Sequence, residues 1–169
     1  MRKNNYTNYI KNIALFLIIS LALTSSAFAD SAGPNNPEIA VDDASIGTEL
    51  WLNPERVNAS DDSRARVLID DFNISHYIKA TNFSFSIPSN AIIEGIVVDV
   101  ERKVNSNSSG SNVTDAAVRI VKNGIIGEAD RSTSSSYNLN DTNESHGSVD
   151  DLWGEVWTAA DINSNGFGA

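Results

Sequence analysis

The sequence predicts an all-β protein in which antiparallel strands form a two-sheet β-sandwich of the jelly-roll type. Apolar and polar residues alternate over residues 83–87 and again over 96–101, and this period of two gives a strand one buried face. Asn123-Gly124 supplies the positive φ angles that a two-residue type I′ hairpin turn requires. The only helical signal is Thr158, which can cap a single turn at residues 159–161.

Five segments are predicted as strands because each is bounded by clusters of Asn, Asp, Ser, Gly or Pro. They are residues 65–69, 77–87, 92–103, 113–122 and 125–129. Two polar stretches, 105–112 and 132–146, hold too few apolar groups to pack and are predicted as exposed loops. The sandwich domain is expected over 39–169, after a flexible lead-in over 30–38 that is small and polar and contains Gly33-Pro34 and Pro37.

The first 29 residues have the order of charges and apolar residues that is typical of a secretory signal peptide. Basic residues precede an apolar run from Ile13 to Leu23, and Ala27-Phe28-Ala29 provides small residues for cleavage before Asp30. The apolar run is shorter than the roughly 20 residues that a membrane-spanning helix needs. The sequence therefore predicts a protein that is secreted or held at the cell surface, with no membrane segment after cleavage.

Composition excludes several classes of function. The 140 residues after the predicted cleavage site hold nine basic and 22 acidic residues, a net charge of −13, which disfavours binding to nucleic acid or to an anionic membrane. Cysteine is absent, so thiol nucleophiles and cysteine-bound metals are excluded. No nucleophile elbow, phosphate-binding glycine loop or zinc-protease motif occurs. These observations favour a non-enzymatic structural or surface-interaction module.

Two interpretations are open for the aromatic residues near the end of the chain. Trp153 and Trp157 lie four residues apart, and tryptophan is usually buried with its indole N–H hydrogen-bonded, which favours a place in the core. The alternative is a carbohydrate-binding module in which Trp51, Trp153, Trp157 or Tyr137 would stack on the sugar rings of a polysaccharide. The two histidines, His76 and His146, are predicted to be isolated surface residues.

A structural calcium ion is a further prediction, because acidic and amide side chains alternate in two loops. Asp161, Asn163 and Asn165 precede Gly166 with the spacing of an EF-hand loop. Asp141 and Asn143 repeat that spacing before Gly147. The competing interpretation is that Asp and Asn are simply common turn residues.

N-glycosylation sequons are more frequent than chance predicts, with seven in the mature chain. Four of them fall at or beside the predicted loops and are candidate glycan sites. These are Asn107, Asn112, Asn140 and Asn143.

Several motifs resemble a group of secreted and phage-associated β-sandwich modules found in surface proteins of bacteria and archaea. The matching segments are ATNFSFSIP at 80–88, AIIEGI at 91–96, WLNP at 51–54, DDLWG at 150–154 and VWTAADIN at 156–163. The resemblance implies a jelly-roll-like domain with an extracellular, cell-surface or virion structural role and no catalytic residues. Members of the group continue through one or two further strands after a Phe-Gly segment, which here is Phe167-Gly168. The resemblance therefore also implies an incomplete sheet edge beyond Gly168-Ala169. The chain would then be a truncated domain, a fragmentary gene model, or a subunit whose sheet is completed by a protein partner or by a second copy of the chain.

Overall fold

Short antiparallel strands dominate the computed structural model, which describes residues 30–70, 72–105 and 112–169. The strands are β1 (Ile39–Asp43), β2 (Tyr77–Thr81), β3 (Ile96–Arg102), β4 (Val121–Lys122), β5 (Ile125–Ile126) and β6 (Thr142–Ser148). A 3-10 helix over Pro54–Asn58 and the short helix α1 (Ala159–Ile162) accompany them. The prediction of an all-β fold is confirmed. The predicted signal peptide and the sequon at Asn107 lie outside the described residues.

The strands form three antiparallel pairs, β1 with β2, β3 with β6, and β4 with β5. The longest ladder joins β3 to β6, from Ile96 opposite Ser148 to Arg102 opposite Thr142. In the part of the chain that the structure describes, neither helix is long or apolar enough to cross a bilayer.

The hairpin between β4 and β5 has the predicted two-residue turn. Asn123 and Gly124 have φ angles of 52° and 80°, as a type I′ turn requires, so this prediction is confirmed. The predicted helix cap is also confirmed, because the Thr158 side chain accepts a hydrogen bond from the N–H of Asp161 and forms a capping box with it.

Replacing Gly124 with alanine should destabilise the protein by roughly 1 kcal/mol. No atom of the described part of the chain lies within 4 Å of the position that an added Cβ would take, so the cost comes from the positive φ angle and not from a collision. Urea unfolding measures the change. Asn123→Gly is the matched control, because glycine adopts the same conformation, and an equal loss in both variants would contradict the explanation.

Several predicted element boundaries are wrong. Residues 142–148 form β6 although 132–146 were predicted to be an exposed loop. Strand β2 ends at Thr81 because Asn82 and Ser84 have positive φ angles, of 60° and 51°, that interrupt a ladder. The predicted strand 65–69 contributes a single bridge, from Arg66 to Leu52.

The start of the folded body is hydrogen-bonded to the segment after β2. The side-chain amide of Asn35 donates to the carbonyl of Phe83, and the N–H of Glu38 donates to the carbonyl of Asn82. The Glu38 carboxylate also accepts hydrogen bonds from Asn82 and Ser84. The end of the lead-in that was predicted to be flexible therefore has defined partners.

An aromatic cluster forms the core. Trp157 contacts Phe167 edge to face, with ring centroids 5.5 Å apart, and Phe83 and Phe85 also pack on Phe167. The buried members of the cluster are Ile120, Trp153, Trp157, Ile162 and Phe167. The alternation of Phe83 and Phe85 thus identified core-facing residues correctly, although their backbone does not form a regular strand.

Candidate functional site

Both late tryptophans lie in the core. Trp153 is 1% exposed and its indole N–H donates to the carbonyl of Ile96 at 2.9 Å. Trp157 is 7% exposed and donates to the carbonyl of Leu152, also at 2.9 Å. The prediction that they are core residues is confirmed. Their faces pack against protein and are not available to stack on a sugar ring.

The position of Trp153 depends on close approaches from neighbouring chain segments. Its backbone is left-handed, with φ 55°, and its N–H donates to the Asp151 carboxylate at 2.8 Å. Gly147 passes so close that an added Cβ would lie 2.8 Å from the Trp153 indole nitrogen. Strand β6 therefore needs a glycine where it crosses this ring.

The remaining stacking candidates, Trp51 and Tyr137, are half-buried and already have polar partners. The indole N–H of Trp51 donates to the carbonyl of His76 at 2.8 Å. The hydroxyl of Tyr137 donates to Asp115 at 3.0 Å, and the Arg102 guanidinium lies 4.3 Å from the centre of its ring. One face of Tyr137 is therefore covered.

Neither histidine is an isolated surface residue, so that prediction is wrong. His76 is half-buried, and its Nδ1 lies 2.8 Å from the Asp42 carboxylate. His146 is 2% exposed, and its Nδ1 donates to the carbonyl of Arg131 at 2.9 Å. Its Nε2 is buried 3.9 Å from Asp115 and forms no hydrogen bond with any residue that the structure describes. Polar flanking residues gave no sign that this position of β6 faces inward.

A buried ion pair lies at the centre of a polar cluster that includes one residue of β3 and one of β6. The side chains of Arg102 and Asp115 are 5% and 4% exposed and are directly hydrogen-bonded. Asp115 also accepts from the backbone N–H and the hydroxyl of Thr133, at 3.0 and 3.2 Å. Arg102 is further paired with Glu144 at 3.3 Å. We call Arg102, Asp115, Thr133, Tyr137 and Glu144 the buried polar cluster.

The cluster moves the pKa values of Asp115 and Tyr137 away from neutrality. Burial alone would raise the pKa of Asp115, but hydrogen bonds from Thr133, Arg102 and Tyr137 outweigh it and lower the pKa below its usual value. Burial and the neighbouring Asp115 charge raise the pKa of Tyr137 to about 12. Asp115 is therefore ionised at neutral pH, and the hydroxyl of Tyr137 keeps its proton. Their hydrogen bonds hold chain segments that are distant in sequence together.

The first calcium candidate loop uses its oxygens for local structure. The Asp161 carboxylate accepts from the N–H and hydroxyl of Thr158, at 2.9 and 2.7 Å. The Asn163 amide exchanges two hydrogen bonds with the backbone of Ile87, at 2.7 and 2.9 Å, and Asn165 is exposed. Asp and Asn thus serve here as capping and turn-stabilising residues.

The two candidate ligands of the second loop also have structural roles. Asp141 lies 2.8 Å from Arg64 and 3.4 Å from Lys103, and Asn143 is an exposed residue of β6 opposite Glu101. Among the described residues, no group of three or more His, Asp or Glu side chains is placed to hold a metal. The calcium site stays a prediction. Calorimetric titration with calcium tests it, and the absence of both heat and a rise in Tm would contradict it.

The candidate glycan sites that the structure describes are all exposed: Asn112, Asn140 and Asn143. Glycosylation stays a prediction, which the intact mass of native protein tests.

Lowering the pH from about 5 to about 2.5 should destabilise the protein partly through Asp151. Hydrogen bonds from Arg131, at 2.5 and 2.9 Å, and then from the N–H of Trp153 lower the pKa of this carboxylate to about 2, from an ordinary value of 3.8. Because the folded state lowers the pKa, the stabilisation is present above the unfolded value and is lost as pH falls through about 2.

Urea unfolding at the two pH values provides the measurement. Asp151→Asn should be less stable than the parent near pH 5 and should lose less on acidification. The exposed neighbour Asp150 provides the matched control, Asp150→Asn, which should follow the parent curve. An unchanged acid slope in Asp151→Asn would refute the assignment.

The last three residues lie between two strands. Ala169 exchanges backbone hydrogen bonds with Ala80 of β2, at 2.8 and 3.0 Å, and Gly168 does the same with Val121 of β4, at 2.7 and 3.0 Å. An added Cβ at Gly168 would collide with the carbonyl oxygen of Ala80. Residues 167–169 therefore join β2 to β4, and both of their edges are paired.

These features define a small all-β protein whose aromatic core and buried polar cluster bind its strands together. Comparison with protein-family models, with curated proteins and with solved structures gives no match. The resemblance to bacterial and archaeal surface modules therefore stays a prediction.

Proposed function

We propose that this chain is an exported, non-enzymatic structural or surface-interaction module, built as a jelly-roll-like two-sheet sandwich. The observation that carries the proposal is that the polar and aromatic groups best suited to a ligand site are used inside the fold. The indoles of Trp153 and Trp157 and the Asp115 carboxylate, which would be natural choices for binding or chemistry, are buried and hydrogen-bonded within the fold. The groups that hold the strands together are the same groups that a ligand site would need.

Electrostatics supports a non-enzymatic role. A general acid or base works best when its pKa lies near the working pH. In the buried polar cluster the pKa of Asp115 is lowered and that of Tyr137 is raised to about 12, so both move away from that range. Two further lowered carboxyl pKa values belong to residues that are paired with a cation, Asp43 with Lys79 and Asp151 with Arg131.

The N-terminal sequence and the charge support an extracellular place of action. The predicted signal peptide directs export, and an acidic surface keeps a protein soluble and separate from anionic polymers. N-terminal sequencing of secreted protein should give Asp30 as the first residue. A retained leader would count against export by cleavage.

Two binding and activity screens test the proposed function. We expect no turnover in a broad hydrolase screen and no retention on an array of polysaccharides. Trp51→Ala and the conservative Trp51→Phe form the matched pair, because Trp51 is the least buried of the three indoles. A polysaccharide that binds the parent and Trp51→Phe but not Trp51→Ala would favour the carbohydrate-binding alternative.

A further inference from the structure

The buried imidazole of His146 has one nitrogen with a hydrogen-bond partner and one without. The carbonyl of Arg131, 2.9 Å from Nδ1, can only accept a hydrogen bond, so Nδ1 carries a proton. In the neutral ring, Nε2 is then an acceptor with no proton of its own. This nitrogen is buried, has no partner among the described residues and lies 3.9 Å from Oδ2 of Asp115. Two acceptors are therefore neighbours inside the protein whenever the ring is uncharged.

The charges beside this ring are not balanced. Asp115 is ionised, because hydrogen bonds hold its pKa below the usual value. Its cation is Arg102, which is also paired with Glu144 at 3.3 Å. One guanidinium thus serves two carboxylates, and the three groups carry one excess negative charge. A single proton on His146 would cancel that excess.

The remaining groups around the ring do not alter this balance. The hydroxyl of Tyr137 keeps its proton, since burial and the neighbouring Asp115 charge raise its pKa to about 12. The Arg131 guanidinium is paired with Asp151 at 2.5 and 2.9 Å. In the described part of the chain, the charged and titratable groups beside His146 come from β3, from residues 113–137 and from β6 itself, and they are Arg102, Asp115, Arg131, Tyr137 and Glu144.

The hydroxyl of Thr133 can make room for a second donor on Asp115. Its oxygen lies 3.2 Å from Oδ2 of Asp115 and 3.4 Å from Oε1 of Glu144. A hydroxyl has one proton to donate, so it bonds one of these carboxylates at a time. When it turns to Glu144, the lone pair that it used on Asp115 becomes available to His146.

We propose that His146 is a buried proton-binding site that couples the pH of the surroundings to the hydrogen bonds of the buried polar cluster. A proton from solvent converts Nε2 from an acceptor into a donor, which then bonds Oδ2 of Asp115, while the Thr133 hydroxyl turns to Glu144. The protonated ring makes a bond that the neutral ring cannot make, so acid adds a link between β6 and the segment that carries Asp115.

Burial opposes a charge on the ring, but a buried charge is tolerated when it is paired and hydrogen-bonded. The new charge would lie beside a carboxylate that is already ionised. Histidine titrates between about pH 5 and pH 8, so the change falls in the physiological range. This inference goes beyond the proposed function and does not depend on it.

Nuclear magnetic resonance of the protein labelled with nitrogen-15 in histidine observes the proton directly. The sequence has two histidines, so the spectrum of His76→Gln assigns the signals of His146. At about pH 8 the Nδ1 of His146 should carry a proton and Nε2 should carry none. At about pH 5 both should be protonated, with the Nε2 proton protected from exchange with water by its bond to Asp115.

A matched pair of glutamate variants tests the charge argument. Glu144→Gln removes the excess negative charge and should move the titration of His146 to lower pH. Glu101→Gln is the control, because Glu101 is an exposed residue of β3 opposite Asn143 and is not part of the buried polar cluster. Its titration of His146 should follow that of the parent.

A pair of threonine variants tests the turning of the hydroxyl. Thr133→Val removes the hydroxyl, so Nε2 no longer has to displace its bond to Asp115, and the titration should move to higher pH. Thr133→Ser keeps a hydroxyl and should titrate like the parent. A residue that merely filled space would give the same titration in both variants.

Three results would overturn the proposal. These are an Nε2 that stays unprotonated in the folded protein down to about pH 5, a neutral ring with its proton on Nε2, and equal shifts in Glu144→Gln and Glu101→Gln. None of them bears on the non-enzymatic role of the module, which the hydrolase and polysaccharide screens test separately.

Discussion

Replacing Trp153 with alanine is expected to remove about 3–5 kcal/mol of stability, which is a large share of the 5–15 kcal/mol that holds an ordinary domain folded. The substitution leaves a cavity beside Ile120 and removes the N–H that satisfies the carbonyl of Ile96. Tm should fall by at least about 10 °C in thermal unfolding followed by circular dichroism.

Two companion variants separate the causes. Trp153→Phe keeps most of the ring but removes the hydrogen bond, so it should lose clearly less than Trp153→Ala. Val156→Ala alters the same segment at a side chain that is 80% exposed, and its stability should change by no more than about 0.5 kcal/mol. Equal losses in Val156→Ala and Trp153→Ala would show that the segment, and not the buried ring, sets the stability.

Replacing Arg102 with methionine should destabilise the protein by about 3–5 kcal/mol, because the Asp115 carboxylate would remain buried without its cation. Burial then dominates, so the pKa of Asp115 should rise in this variant and the carboxyl group should take up a proton more easily. A raised folded pKa favours the folded state at lower pH. The difference from the parent should therefore shrink as pH falls from about 7 to about 5.

The double variant Arg102→Met/Asp115→Asn provides the thermodynamic test of this pair. It removes both charges and should be more stable than Arg102→Met alone, since no unpaired charge remains buried. Arg64→Met is the control, because its partners Asp62 and Asp141 lie nearer the solvent, and its cost should be at most about 1 kcal/mol. A pH-independent loss in Arg102→Met would rule out Asp115 as the source.

The alternating residues of the sequence predicted the core better than they predicted the strands. Phe83 and Phe85 both face the core although their backbone is irregular, so the alternation of apolar residues identified them. The ladder ends at Asn82 because that residue has a positive φ angle, which the hydrophobic pattern does not reveal. Asn123-Gly124 was predictable because two residues with positive φ suffice to define that turn. Trp153 and Trp157 were predictable core residues because an indole ring buries a large apolar surface area.

Strand β6 and the buried polar cluster were not predictable from composition. The residues of β6 read Thr-Asn-Glu-Ser-His-Gly-Ser, which is the composition of a loop. What makes them a strand is the backbone ladder to β3, and what buries His146 is the packing of segments distant in sequence. Arg102 and Asp115 lie 13 residues apart in the sequence, and nothing in their local sequence marks them as partners.

The placement of residues 167–169 has a consequence for how the protein reaches its native state. These residues are distant in sequence from both Ala80 and Val121, which they connect through backbone hydrogen bonds. Contacts that join such distant positions cannot form until the intervening chain is complete, and they fold slowly. The connection between β2 and β4 should therefore close late in folding, after the local hairpin of β4 and β5 has formed.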